Sequence, residues 1–138
     1  MKFRDVQQSL EEFVKANWTV TNLQYENVAF NADLYEEFTR TTVAFGETEK
    51  RSAASGCYRV TGLLMLTLFG RAASGSNRLL SLADTACTML ASVIVSPVPP
   101  LTAPKVQMLT PSVHKDFKER DGWIFVQVSC PFYYDLEL

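Results

Sequence analysis

The sequence predicts an α+β fold of two layers, an antiparallel or mixed sheet of four to five strands with two helices packed on one face. Three observations carry this expectation. Cys57 to Val95 reads as a strand, a turn and a helix; Phe3 to Trp18 carries a helical apolar stripe; and the other strand-like segments come in pairs instead of alternating singly with helices. The 138 residues, 47% hydrophobic, are one domain long, so residues 1–138 are expected to form a single domain whose core needs no disulfide or metal staple.

Taken in order, Phe3, Val6, Leu10, Phe13 and Val14 recur at helical spacing, with Arg4, Gln7, Gln8, Glu11 and Lys15 on the other side. No Ser or Thr caps the start, and Asn17 suits the end because Asn tolerates the left-handed conformation. Thr19 to Leu23 reads as a loop or short extended piece, and Gln24 to Phe30 as a short edge strand or irregular segment. Tyr35 to Phe45 is a threonine-rich strand, with Thr39, Thr41, Val43 and Phe45 on one face and Phe38, Arg40, Thr42 and Ala44 on the other. Gly46 is expected to close it, leaving Glu47 to Gly56 as the long, mobile tip of a hairpin.

The return strand, Cys57 to Phe69, puts Tyr58, Val60, Leu64, Leu66 and Leu68 on one side, and Gly70 ends it. After the small residues of Arg71 to Gly75, Ser76 is the N-cap of a helix whose apolar stripe runs Leu79, Leu80, Ala83, Ala86, Cys87, Leu90 and Ile94. That helix is expected to lie on Leu64, Leu66 and Leu68, each worth roughly 1.5–3 kcal/mol when buried. Ser96 to Pro104 holds four of the six prolines and is an extended surface connector. Lys105 to Val113 reads as a strand, His114 to Gly122 as a polar turn closing on Asp-Gly, and Trp123 to Tyr133 as the last strand. Ile124, Val126, Val128, Cys130 and Phe132 share one face of that strand, and Pro131 suggests a sheet edge or a departing end.

Charge and cysteine usage narrow the function classes. A net charge of -2 lacks the basic stripe that displaces counterions from phosphate, which argues against a sequence-specific nucleic-acid binder. Three cysteines leave an odd thiol in any pairing, the pattern of a reduced, cytosolic protein. Met1 to Asp5 leads into an amphipathic pattern with no signal peptide visible, and no apolar run nears the ~20 residues of a membrane span.

Catalytic signals are thin, and the sequence reads as a non-enzyme without cofactor or metal. His114 has no nucleophile near it in sequence; Cys57, Cys87 and Cys130 show no zinc spacing; and Cys87 and Cys130 lie on apolar faces as inert thiols. Gly70 to Gly75 precedes a helix but matches neither a P-loop nor a dinucleotide fingerprint. What remains is surface suited to a partner: the charged loop carrying Glu47, Glu49, Lys50 and Arg51, and the second-face residues Leu63, Met65, Phe69, Trp123 and Phe125.

A set of short motifs, in order, resembles a known family. These are Glu26-Asn27-Val28-Ala29-Phe30, Gly46 before a charged loop, Leu66-Thr67-Leu68-Phe69-Gly70 with Gly75-Ser76 and Leu82-Ala83-Asp84, Thr110-Pro111-Ser112-Val113, Gly122-Trp123, and Val126 to Phe132. Together they resemble the tail terminator-like proteins of tailed bacteriophages. The resemblance implies a virion protein of the tail and neck, assembled in the host cytoplasm as a homohexameric ring. Such a ring would cap the tail tube, stop its polymerisation and present a joining surface to a head-side connector, with DNA free to pass through. On this reading Glu47, Glu49, Lys50 and Arg51 reach the tube or lumen, while Leu63, Met65, Phe69, Trp123 and Phe125 meet a neighbouring subunit. The alternatives are another neck component, such as a head-completion or adaptor ring, a small-ligand-binding α/β module, and an enzyme using Cys57 or His114.

Overall fold

Strand length sets the architecture. The computed structural model describes residues 2–25, 28–31, 35–51, 56–71, 76–97, 99, 102–120 and 122–137. Three strands of 14 to 15 residues dominate it: β2 (Glu37–Lys50), β3 (Cys57–Arg71) and β7 (Trp123–Glu137). The remaining strands are β1 (Asn22–Gln24), β4 (Ile94–Val95), β5 (Val106–Met108) and β6 (Ser112–Arg120), and the helices are α1 (Phe3–Asn17) and α2 (Asn77–Leu90). All seven strands join in the order β1-β2-β3-β7-β5-β4, with β6 also on β7; β1 runs parallel to β2 and every other pairing is antiparallel.

The expected four-to-five-stranded sheet with two helices on one face is therefore corrected to a seven-stranded sheet curled into a half-barrel, with two helices. Twist accumulates along strands of this length, and bulges bend the sheet further. One bulge lies between Phe45 and Thr48 of β2, where three steps along β2 face two along β3. Another lies between Met108 and Ser112, where four steps face three along β7. A third lies between Asp116 and Arg120 of β6.

The long strands absorb much of what the sequence assigned to turns. Gly46 does not end β2, which continues through the bulge to Lys50, so Glu47, Glu49 and Lys50 belong to a strand and not to a loose tip. Residues 52–55 of that tip lie outside the described residues, as do 72–75 of the connection before α2. His114 to Arg120 form β6, paired along β7, leaving only the turn at Gly122, whose φ of +82° favours glycine. The expected strand Lys105 to Val113 is split into β5 and β6 around its bulge, and β7 runs four residues past Tyr133.

Pro131 stands inside β7, between β3 and β5, not at an edge. The Pro131 carbonyl accepts a hydrogen bond from the Leu109 N–H at 2.9 Å. Because the N–H and C=O of one strand residue point to the same side, the proline nitrogen faces the bulge, where the ladder is already interrupted.

One core occupies the concave side. Val6, Leu10 and Val14 of α1 and Leu79, Leu82, Ala83, Ala86 and Leu90 of α2 pack with Val60, Leu64, Leu66 and Leu68 of β3 and Val126, Val128, Cys130 and Phe132 of β7. Helix α1 starts without a side-chain cap; the Lys2 carbonyl accepts from the Val6 N–H at 2.9 Å. Helix α2 follows Ser76 as N-cap, but the serine side chain makes no capping bond. It ends at Leu90, and Ile94, expected on its apolar stripe, lies in β4 and is 58% exposed.

Candidate functional site

The second face of the sheet carries a cluster of aromatic rings. Phe38, Phe69 and Phe125 are directly opposite one another on β2, β3 and β7, so their side chains share that face. Phe38 and Phe69 stack at 4.6 Å between ring centroids, Phe69 and Phe125 stand at 5.9 Å, and Trp123 meets Phe38 edge-on at 5.0 Å. Phe30, from the segment before β2, packs on Phe38 at 5.0 Å and is itself stacked on Tyr35 at 5.1 Å. Phe38 is thereby buried, whereas Phe69, Trp123 and Phe125 stay half-buried.

Two arginines lie over this cluster. The Arg40 guanidinium stands 5.1 Å from the Phe69 centroid and its Nε donates to Gln24 Oε1 at 3.1 Å. That of Arg71 lies 3.9 Å over Trp123, with Nη2 donating to the Tyr35 carbonyl at 3.2 Å. The electron-rich faces of the aromatic rings attract both cations. Among the described residues neither arginine has a carboxylate partner.

Further along the same face, Leu63 and Met65 are half-buried, and Met65 Sδ accepts from Gln127 Nε2 at 3.4 Å. The five second-face residues read from the sequence are thus on one face, as alternation requires, but spread along it: Phe69, Trp123 and Phe125 cluster, while Leu63 lies six residues down β3. Sequence reasoning missed Phe30, Tyr35 and Phe38 as members, together with both arginines. Phe38 and Arg40 were placed on one face of their strand; only the register shows that this face is the aromatic one.

Beyond the bulge at Gly46, β2, β3 and β7 continue as a three-stranded arm in which Glu47, Glu49 and Lys50 are exposed. Arg51, also exposed, leaves the strand, and its N–H donates to the Cys57 carbonyl at 2.9 Å. In the row Glu49, Arg59, Asp135, the arginine donates to both oxygens of Asp135, at 2.8 and 3.0 Å, and stacks 4.0 Å over Tyr133. The hydrogen bond from Arg59 holds the Asp135 carboxyl below the usual carboxylate range, against the opposing effect of burial.

The nucleophile candidates are not brought together. His114 is opposite Gln127, which is opposite Thr67, ten residues along β3 from Cys57, a separation of about 33 Å at ~3.3 Å per residue. Cys130 is buried, its Sγ donating to the Leu109 carbonyl at 3.3 Å, and burial pushes the thiol up to about 11. Burial, then Asp84, raises Cys87 as well. No three potential metal ligands gather among the described residues. A groove of about 550 Å³, unforeseen from the sequence, runs beside α1 between Gln7, Glu11, Lys15, Tyr25 and Val28. Burial, followed by Glu11 and Glu12, raises the Tyr25 phenol there.

Comparison with known proteins establishes the fold. No protein-family model matches the sequence, and no curated protein matches it. Among solved structures 22 chains match, so the architecture recurs. One of them, whose name states no function, superposes with a TM-score of 0.69 at 15% identity, over 95% of this chain and 91% of its own.

Proposed function

We propose that this protein is a structural component of a phage tail that forms a ring, caps the tail tube, stops its polymerisation and offers the surface on which the head joins. The observation that carries this reading is the second face of the sheet, where Phe69, Trp123 and Phe125 stay half-buried beside two arginines without a carboxylate partner among the described residues. A half-exposed aromatic patch with arginine is the composition of a protein contact. The arm lies at the other end of the sheet and is exposed and charged. One chain thus carries two unlike surfaces, as a closed ring of heterologous contacts needs.

The ordered motifs that resemble the tail terminator-like family supply the particular assembly. On this reading function comes from shape: the lower side of the ring matches the tube and the upper side refuses another tube subunit. Lys50 and Arg51, at the end of the arm, are assigned to the tube. Electron microscopy of tails assembled with and without the protein tests the proposal, since tubes of uncontrolled length are expected in its absence and tubes of normal length would overturn it. Reversing both charges, Lys50→Glu with Arg51→Glu, is expected to leave the fold intact and impair capping; unchanged tail lengths would refute the role given to the arm.

A further inference from the structure

Two arginines of the second face and two glutamates of the arm stand without an ion-pair partner among the described residues. Arg40 and Arg71 lie over aromatic rings with no carboxylate partner among the described residues. Glu47 and Glu49 are exposed on the arm, and neither is ion-paired among the described residues. The guanidinium opposite Glu49, that of Arg59, is already engaged by both oxygens of Asp135. Arg59, opposite Glu49, is twelve residues from Arg71 on β3, about 40 Å along the strand, and Glu47 is seven residues from Arg40 on β2, about 23 Å, so neither acid reaches either base within one chain.

Resting on the ring reading above, we propose that the arm of one copy lies on the second face of the next, pairing Glu47 and Glu49 with Arg40 and Arg71 of the neighbouring copy beside its Phe69 and Trp123. The complementary charges belong to one sequence and sit at opposite ends of one sheet, which makes a second copy the partner and a head-to-tail contact the geometry. Beyond the bonds to Gln24 and Tyr35, each guanidinium keeps N–H donors without a partner among the described residues, and a carboxylate can accept from a guanidinium in two-point fashion. Desolvation against the aromatic rings would make these pairs stronger than ordinary surface pairs. The contact takes Glu47 and Glu49 of the arm and leaves Lys50 and Arg51 for the tube.

The test is a charge swap followed by size-exclusion chromatography with light scattering, with thermal melting as a check on folding. Wild-type protein is expected to associate, and to lose association as sodium chloride is raised. Arg40→Glu with Arg71→Glu, and separately Glu47→Arg with Glu49→Arg, should each weaken association roughly tenfold or more. The four changes combined should restore it. Should the arginine variant fail to fold, the arm variant, altered only at exposed positions, decides alone: unchanged association overturns the pairing. Association by the wild type with no effect of either double variant, or no rescue in a folded combined variant, overturns this pairing and leaves the ring intact. A wild-type monomer at every concentration overturns the ring itself.

Discussion

At the residue scale, Gly62 is set by what crosses it. It lies between Phe45 and Phe132 on neighbouring strands, and their rings meet edge-on at 6.1 Å. A Cβ at Gly62 would come within 2.3 Å of Phe132 Cζ and 2.7 Å of the Ala44 carbonyl oxygen, and the backbone atom cannot step aside cheaply. Gly62→Ala is expected to cost roughly 1–3 kcal/mol by overpacking, read as a lower urea midpoint; an unchanged midpoint would show that the ring swings clear. Burial governs the alkaline limit in the same region. It pushes the Cys130 thiol up to about 11 and the Tyr134 phenol up to about 12. For a group whose pKa is raised by folding, the contribution to stability is complete below the unfolded value and is lost as pH rises through the folded one. Stability should therefore fall between about pH 9 and pH 12, and Cys130→Ala should flatten the earlier part of that fall; a curve identical to the wild type would deny Cys130 its share.

At the scale of elements, the end of α2 shows how a neighbour overrides periodicity. The apolar spacing runs on to Ile94, yet the helix stops at Leu90. Ser92 adopts φ of +57°, its N–H donates to the Leu109 carbonyl at 3.2 Å, and the chain is led into β4 against β5. Serine is a poor occupant of that conformation, which glycine adopts freely. Ser92→Gly should raise the unfolding free energy by about 0.5–1 kcal/mol in a denaturant titration, and a loss of stability would mean that the serine side chain matters more than its backbone. The arm follows the same logic. Glycine and a charged run read as a loop, but Glu49 and Lys50 remain in register with Arg59 and Tyr58 because the bulge takes up the extra residue.

At the scale of the molecule, the two ends of the sheet are chemically unlike: arginines over aromatic rings at one, an exposed charged arm at the other. A chain of 15.5 kDa with two such ends should assemble head-to-tail, and six copies give a species of about 93 kDa in light scattering. A different closed stoichiometry would revise the ring size, and a species that grows without limit would indicate an open filament. The groove beside α1 shares no lining residue with either surface.

The sequence by itself determined both helices to within a few residues, the pairing of β2 with β3, and which residues of β3 and β7 face the core. The helices and the strand faces rest on local periodicity, 3.6 for a helix and 2 for a strand, and the pairing of β2 with β3 on their succession in the chain as a hairpin, none of which needs knowledge of distant neighbours. Alternation likewise placed Leu63, Met65, Phe69, Trp123 and Phe125 together on the other face. Only the tertiary structure decided the number of strands, the curl, and the company those residues keep. The bulge at Gly46 carries β2 through residues that read locally as a break, the one at Leu109 to Pro111 splits what reads as one strand into β5 and β6, and the short pairings of β1, β4 and β5 come from partners distant in sequence. Arg40 and Arg71 came to the aromatic rings by the register between strands, a long-range quantity that no local spacing encodes.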